Sequence, residues 1–414
     1  MAVERPMAAL DRTAARGWWI IAGLSLWSAV AMGTTIGSLG VFVEPIRREF
    51  GWSGEQIARA LTAFVLAMSV VMPIVGLAID RLGARIVMAC GVALISASYL
   101  LASRSQALPV LVGSFAAAGA GLGASTYLPC TVVASEWFLE RRGLALGVLL
   151  GSSAIGATIF PVLITPLVLD HGWREVLAGI ASVTLLIGLP IVVALVRHGP
   201  YRNGEGTASR TSRPLASLFG ARTFWLVTFI LILSQLSFFG IYFHLIPFLT
   251  SLGFPETTAV LFYSGSTLAT VLGAVILGPL IDRVGARPTL IAALAVLVSS
   301  CALLPAIGTG AAGVGAGIAF AVLWGAVVSS PMQFAPVLLA ETAGLASLGT
   351  LLGISNFLSG LISSLGPMLT GAIHDATHSY IAAFMVSAIV AALALVPALL
   401  LKAGVPGARP DPVG

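Results

Sequence analysis

The sequence predicts an all-helical integral membrane protein whose twelve transmembrane helices form two pseudo-symmetric six-helix bundles. Three observations lead there. The 414-residue chain is 58% hydrophobic and only 9% charged, whereas an average soluble domain carries about 25% charged residues. Twelve runs are long and apolar enough to cross a bilayer, which takes about 20 residues per helix. A ten-residue polar loop recurs once in each half: GLAIDRLGAR at 76–85 and GPLIDRVGAR at 278–287 agree at seven of ten positions.

The predicted spans are 18–43, 55–79, 86–103, 109–134, 143–169, 176–196, 223–250, 258–281, 288–306, 312–340, 348–373 and 380–401. Many contain Gly or Pro, which membrane helices tolerate better than soluble ones. The first run follows Arg5, Arg12 and Arg16, as a signal peptide would. Its 26 residues are too long for such a segment and no small-x-small cleavage site follows, so it is expected to be retained. One long connection, 197–222, is rich in Arg, Gly, Ser and Thr and reads as a flexible linker. It separates a bundle at 18–196 from a bundle at 223–401, with tails at 1–17 and 402–414.

Charge sets the expected orientation. Of the 21 basic residues, 20 are Arg and one is Lys402. Placing the N-terminus in the cytoplasm puts 16 of them inside and leaves Arg47, Arg48, Arg59, Arg104 and Arg174 outside or near the outer surface. The positive-inside rule therefore predicts an even helix count and two cytoplasmic termini, in the inner (plasma) membrane. The net charge of +5 becomes a topology signal and gives no reason to expect nucleic acid. Cys90, Cys130 and Cys301 lie in apolar runs without paired spacing and read as buried small hydrophobes.

The repeat extends beyond the loop. Gly51 in FGWS pairs with Gly253 in LGFP at the same 202-residue offset, and Pro161 and Asp170 pair with Pro367 and Asp375. Two parallel six-helix repeats are the architecture of an alternating-access carrier. The pattern G-x-x-x-D-R-x-G-x-R between helices two and three, with its copy between eight and nine, resembles the signature loop of the major facilitator superfamily. WFLERRGLALGVLLG at 137–151 is similar to the fifth-helix motif of that superfamily's monocarboxylate porter and oxalate/formate antiporter branch. GVFVEPIRREFGWS at 40–53 and LGPMLTGAIHDATHSY at 365–380 are similar to the same branch.

The resemblance implies a gating motif made of Gly76, Asp80, Arg81, Gly83 and Arg85, with a second copy at Gly278, Asp282, Arg283, Gly285 and Arg287. Asp80 would face the start of helix eleven near Ser347 and help lock the halves on the cytoplasmic side. Asp282 would act likewise near Arg142 and Gly143, and the arginines would pair with Glu136, Glu140 or Glu341. Physically, the glycines permit close backbone approach, and a carboxylate gains from the free N–H groups and dipole of a helix start.

Ionisable residues within spans are costly and are functional suspects by default. None of the 16 acidic residues falls in the middle third of a span. The charged candidates for substrate contact are Arg59, which either snorkels to the headgroups or meets an anion, and His244. That histidine either binds a carboxylate or carries a proton, or packs as a neutral ring against a backbone carbonyl. Gln235 and Asn356 are deep amides that line a cavity or bind helices together, and Tyr127 is a further candidate. Ser125, Thr126, Ser152 and Ser153 are weaker, because helix hydroxyls often bond their own chain.

The spans depart from the resembled branch. Its oxalate/formate members use basic residues in helices eight and eleven, and its proton-linked monocarboxylate porters use an Asp and Arg in helix eight and a Lys in helix one. All are absent here. A small dianion would meet no fixed counter-charge, so a monocarboxylate, aromatic acid or neutral metabolite is expected. A proton relay would rest on His244 or an edge acid such as Glu44, and facilitated diffusion is the alternative.

An enzyme is not expected, nor any cofactor. The five histidines show no metal spacing beyond His374 and His378, which read as solvated, and no phosphate loop supports ATP-driven transport. The expected protein is a secondary transporter of a small organic solute. A uniporter, an exporter or a carrier-like sensor are the alternatives. Its partners are the substrate, protons if coupled, and the lipid bilayer, and it is expected to be a monomer.

Overall fold

The computed structural model describes residues 4–52, 54–139, 141–200, 221–343, 345 and 347–401. Glu140, most of the 197–222 connection and the tail from 402 lie outside them. Among the described residues, twelve helical stretches are long and apolar enough to cross a membrane if one bent pair counts once: α1 Ala15–Phe50, α2 Arg59–Val70 plus Met72–Leu82 bent by 41°, α3 Ala84–Ser103, α4 Leu108–Trp137, α5 Arg142–His171 and α6 Trp173–Leu195. The others are α7 Arg222–Tyr242, α8 Thr257–Val284, α9 Ala286–Ala306, α10 Ala311–Glu341, α11 Leu348–Thr377 and α12 Tyr380–Leu400. No strand occurs among the described residues.

The elements differ from expectation in two ways. Helix α1 runs past residue 43 to Phe50, because Leu39, Phe42 and Ile46 form a buried stripe through the polar EPIRREF stretch. Gly51 ends it with φ 69°. Helix α7 stops at Tyr242 and resumes as the short helix Leu245–Ser251. Cys90 corrects the reading of three buried cysteines: Cys130 and Cys301 are buried, but Cys90 is exposed on α3. A membrane helix is apolar all round, so an apolar neighbourhood does not reveal which face turns inward.

The chain divides into two compact units, residues 1–210 with 345–353, and residues 211–344 with 354–414. In the first unit, small residues bring helix backbones into contact. A Cβ on Gly119 would lie 2.0 Å from the Phe64 carbonyl oxygen, and one on Gly156 would lie 2.0 Å from that of Ala29. The same device joins α8 to α10 in the second unit, where a Cβ on Gly273 would fall 1.8 Å from the Ala326 oxygen. Such small-residue seams replace the hydrophobic drive that lipid removes.

Several spans are interrupted. A π-helical turn occupies 33–37 in α1 and another 184–188 in α6, and Thr126 leaves helical geometry within α4 (φ −118°, ψ −111°). Trp27 ties two of these together. Its Nε1–H donates to the Ser125 carbonyl at 2.7 Å, at the α4 break, and its ring fills the place where a Gly188 Cβ would stand.

Arg174 fastens one end of this unit. It donates to Glu49 Oε1 at 2.9–3.0 Å and to the carbonyls of Ser103 and Ser105 at 2.8 Å, and it lies 4.4 Å from the centre of the Trp173 ring. Trp173 Nε1 completes the clasp on Glu49 Oε2 at 2.6 Å.

The internal repeat is also written in the backbone. Six described residues have positive φ: Gly51 and Gly253, Gly83 and Gly285, and Gly172 and His378. They form three pairs separated by 202, 202 and 206 residues.

Candidate functional site

Helix α2 ends at Gly83 (φ 85°, ψ 152°) and α8 at Gly285 (φ 99°, ψ 155°), and each glycine N–H closes on the carbonyl four residues back, Ile79 or Ile281. The two motif copies thus make the same turn. Only glycine enters this backbone region readily, which is the physical need for Gly83 and Gly285.

In the first unit the motif reaches the opening turn of α11. Asp80 Oδ1 accepts from Gly349 N–H at 3.1 Å, while Oδ2 accepts from Thr350 N–H at 2.8 Å and from the Thr350 hydroxyl at 2.6 Å. These amides belong to the set that no helix can satisfy internally at its start, and a carboxylate also gains from the dipole there. Gly76 makes the approach possible: a Cβ on it would stand 2.2 Å from the Gly349 oxygen. Gly353 similarly lies against the Met72 oxygen. The contact falls two to three residues beyond Ser347.

Of the acids expected to pair with the motif arginines, Glu140 lies outside the described residues. Arg81, Arg85 and Arg283 are exposed. Arg287 donates to the Leu399 carbonyl at 2.9 Å. Buried Glu136 accepts from Gly199 N–H at 3.2 Å, with His198 Nδ1 at 3.8 Å, fastening the chain that leaves α6 to the end of α4. Arg142 donates to the carbonyls of Phe138 and Ser135 at 3.3 and 3.4 Å. Backbone carbonyls at helix ends are unsatisfied and close at hand, which makes them ready acceptors for these guanidinium groups. Asp282 and Gly278 lie in α8, and Asp282 is half-buried.

The substrate candidates divide between the two units. Arg59 is exposed at the start of α2, and Tyr127 is half-buried just after the α4 break. In the second unit, Gln235 Nε2 donates to Met332 Sδ at 3.7 Å, joining α7 to α10. His244 Nε2 lies 3.0 Å from the Pro367 carbonyl oxygen, so the ring donates there as the packed alternative requires. Asn356 is half-buried beside Ser355, whose hydroxyl meets that of Thr228 at 2.8 Å. The weaker hydroxyls bond their own helices: Ser125 to Gly121, Thr126 to Leu122, and Ser152 and Ser153 to Leu149.

Sequence reasoning passes over two groups here. Gln333 is fully buried in α10 and donates from Nε2 to the Ala274 carbonyl at 3.0 Å; its signal, an amide inside a span, is the one that marks Gln235. A row of rings, Phe238, Tyr242, Tyr263 and Trp324, spans α7, α8 and α10. Aromatics inside apolar runs carry no mark of function, and only the contacts reveal the row.

A family model described as Major Facilitator Superfamily matches residues 24–265 and 249–413. A Bacillus subtilis (strain 168) chain described as an uncharacterized MFS-type transporter, YcxA, is 24% identical over 385 residues, 89% of this chain and 91% of the other. Monocarboxylate transporter 13 of Rattus norvegicus is 27% identical over 377 residues, 90% of this chain and 85% of that one. Among solved structures, the E. coli fucose:proton symporter FucP superposes with a TM-score of 0.72 at 16% identity, covering 93% of this chain and 98% of that one.

Proposed function

The chain belongs to the Major Facilitator Superfamily, and from that premise we propose that it is a secondary transporter of a small organic solute, a monocarboxylate or similarly weakly charged metabolite, by alternating access. The bundles 18–196 and 223–401 are the moving bodies in this reading and 197–222 is their linker. The tails 1–17 and 402–414 sit in the cytoplasm, at the inner (plasma) membrane, and the protein works as a monomer. Similarity to a monocarboxylate transporter supports the solute class.

The observation that carries the reading is the grip of Asp80 on the first turn of α11, about 270 residues away in sequence. A carboxylate holding a helix start can let go without unfolding either helix, which suits a gate. Gly76, Gly83, Arg81 and Arg85 shape that gate, and Gly278, Asp282, Arg283, Gly285 and Arg287 serve as its second copy. Tyr127, Gln235 and Asn356 offer the solute neutral polar contacts, and Arg59 is the cation near the entry.

The gate is tested with Asp80→Asn. Expression and membrane insertion are expected to stay intact while transport slows about 5- to 30-fold, the rate equivalent of 1 to 2 kcal/mol of lost charge–dipole stabilisation. Wild-type uptake by a well-folded Asp80→Asn protein removes the gate from the proposal. Coupling is read from uptake of labelled carboxylates into vesicles with and without a pH gradient. Accumulation driven by the gradient marks proton symport, and equilibration alone marks a facilitative uniporter. The uniporter reading draws support from His244, whose Nε2 is occupied by Pro367. Binding without flux would make the protein a carrier-like sensor and overturn transport itself.

A further inference from the structure

We infer that the second unit holds an aromatic-acid subsite, formed by Gln235, Phe238, Tyr242, Tyr263 and Trp324, which selects planar aromatic monocarboxylates over short aliphatic ones. The inference rests on the monocarboxylate reading above and narrows it.

On α7, Gln235, Phe238 and Tyr242 recur at spacings of three and four, so they share one face of the helix. Phe238 stacks on Trp324 of α10 with ring centres 5.6 Å apart and planes 20° apart, and it lies 4.8 Å from Tyr242. Tyr242 in turn lies 5.1 Å from Tyr263 of α8, and the Tyr263 hydroxyl donates to that of Tyr242. The row therefore has an amide at one end and a pair of phenol hydroxyls at the other. Phe238, Tyr242, Tyr263 and Gln235 are half-buried, leaving part of each side chain open.

Two features point to a ligand rather than to packing alone. Trp324 is 2% exposed, and its indole N–H is buried with no acceptor, an arrangement native interiors avoid. The hydroxyl pair is also incompletely used: Tyr242 accepts from Tyr263 and keeps its own proton to donate. Neutral phenols can hold a carboxylate by hydrogen bonds where no fixed cation exists, and the spans carry no basic residue in this region. A flat ring stacks on the open parts of Phe238 and Tyr242 in the offset or tilted geometries that aromatic pairs prefer, while Trp324, stacked between Phe238 and Phe320, backs the row. A short hydroxy acid offers the carboxylate but nothing to the rings.

The test uses the full-length protein in proteoliposomes, with flux through protein-free vesicles subtracted. Counterflow of labelled phenylacetate is compared with that of lactate, in wild type, in Phe238→Leu and in the double variant Tyr242→Phe with Tyr263→Phe. The expected result is at least about a tenfold preference of wild type for phenylacetate. Removing both hydroxyls is expected to raise its KM about tenfold and to weaken lactate flux as well, since the phenols hold either carboxylate. Removing the Phe238 ring is expected to raise that KM roughly 2- to 10-fold. Equal wild-type flux of lactate and phenylacetate overturns the subsite while leaving monocarboxylate transport standing. So does an unchanged phenylacetate KM in the double variant. Absence of flux for both acids overturns the broader reading as well. The wild-type comparison decides even if a variant fails to fold.

Discussion

His378 is the one described residue other than glycine with positive φ, at 52°. It stands 206 residues from Gly172, but the two backbones differ: Gly172 has ψ 155° and His378 ψ 29°, in the left-handed helical region. Holding a side chain in the left-handed region costs roughly 1–2 kcal/mol. His378→Gly should therefore stabilise the protein by about 0.5–1 kcal/mol once glycine's greater chain entropy is counted. The reverse change, Gly83→Ala or Gly285→Ala, should destabilise by about 1–3 kcal/mol, because φ near 90° with ψ near 150° is open to glycine almost alone. Thermal unfolding in detergent measures both, and a Gly83→Ala protein as stable as wild type would deny the turn its glycine requirement. These positions were unequally legible. Gly83 and Gly285 announce themselves because two copies of one motif share them. Nothing in HDATHSY distinguishes His378. The partner of Asp80 was legible only through family resemblance, since no local rule links it to a helix start some 270 residues on.

At the scale of the element, hydropathy locates spans well because the bilayer demands about 20 apolar residues wherever a helix crosses. It is blind to the interruptions in α1, α4 and α6, since a broken span needs its freed polar groups met by something elsewhere in the fold. The α4 break is the clearest case. The Ser125 carbonyl is met by the indole of Trp27, 98 residues earlier, and the indole's own space comes from the missing side chain of Gly188 on α6. Neither ASTY nor LSLWS hints at the other. Trp27→Phe keeps a ring against Gly188 and removes only the N–H, leaving a buried carbonyl without its donor. The expected cost is about 1–3 kcal/mol, read as earlier thermal unfolding, with Trp27→Leu worse because the ring is lost too. A Trp27→Phe protein of unchanged stability would mean that water or a relaxed α4 satisfies Ser125 without help.

For the molecule as a whole, the proposed orientation rests on the basic residues, and the exceptions to the rule can now be weighed. Arg174 is held by Glu49 and two carbonyls, and Arg47 and Arg48 both reach Glu44, at 3.1 and 2.9 Å. Arg174 serves packing wherever the loop ends up, so its position says little about which way the chain was inserted. The opposing bias is then weaker than five arginines suggest, and the 16 on the other side decide. Reporters that are active only in the cytoplasm, fused after residue 414 or placed before residue 1, should both be active. One inserted near Arg104, between α3 and α4, should be silent. Activity at Arg104 with silence at both ends would invert the molecule and place the Asp80 grip on the outer side. A single silent terminus would instead require an odd number of crossings, which the turn shared by Gly83 and Gly285 argues against. Gly83 and Gly285 repeat one turn in both halves, and halves that repeat in parallel must each cross an even number of times.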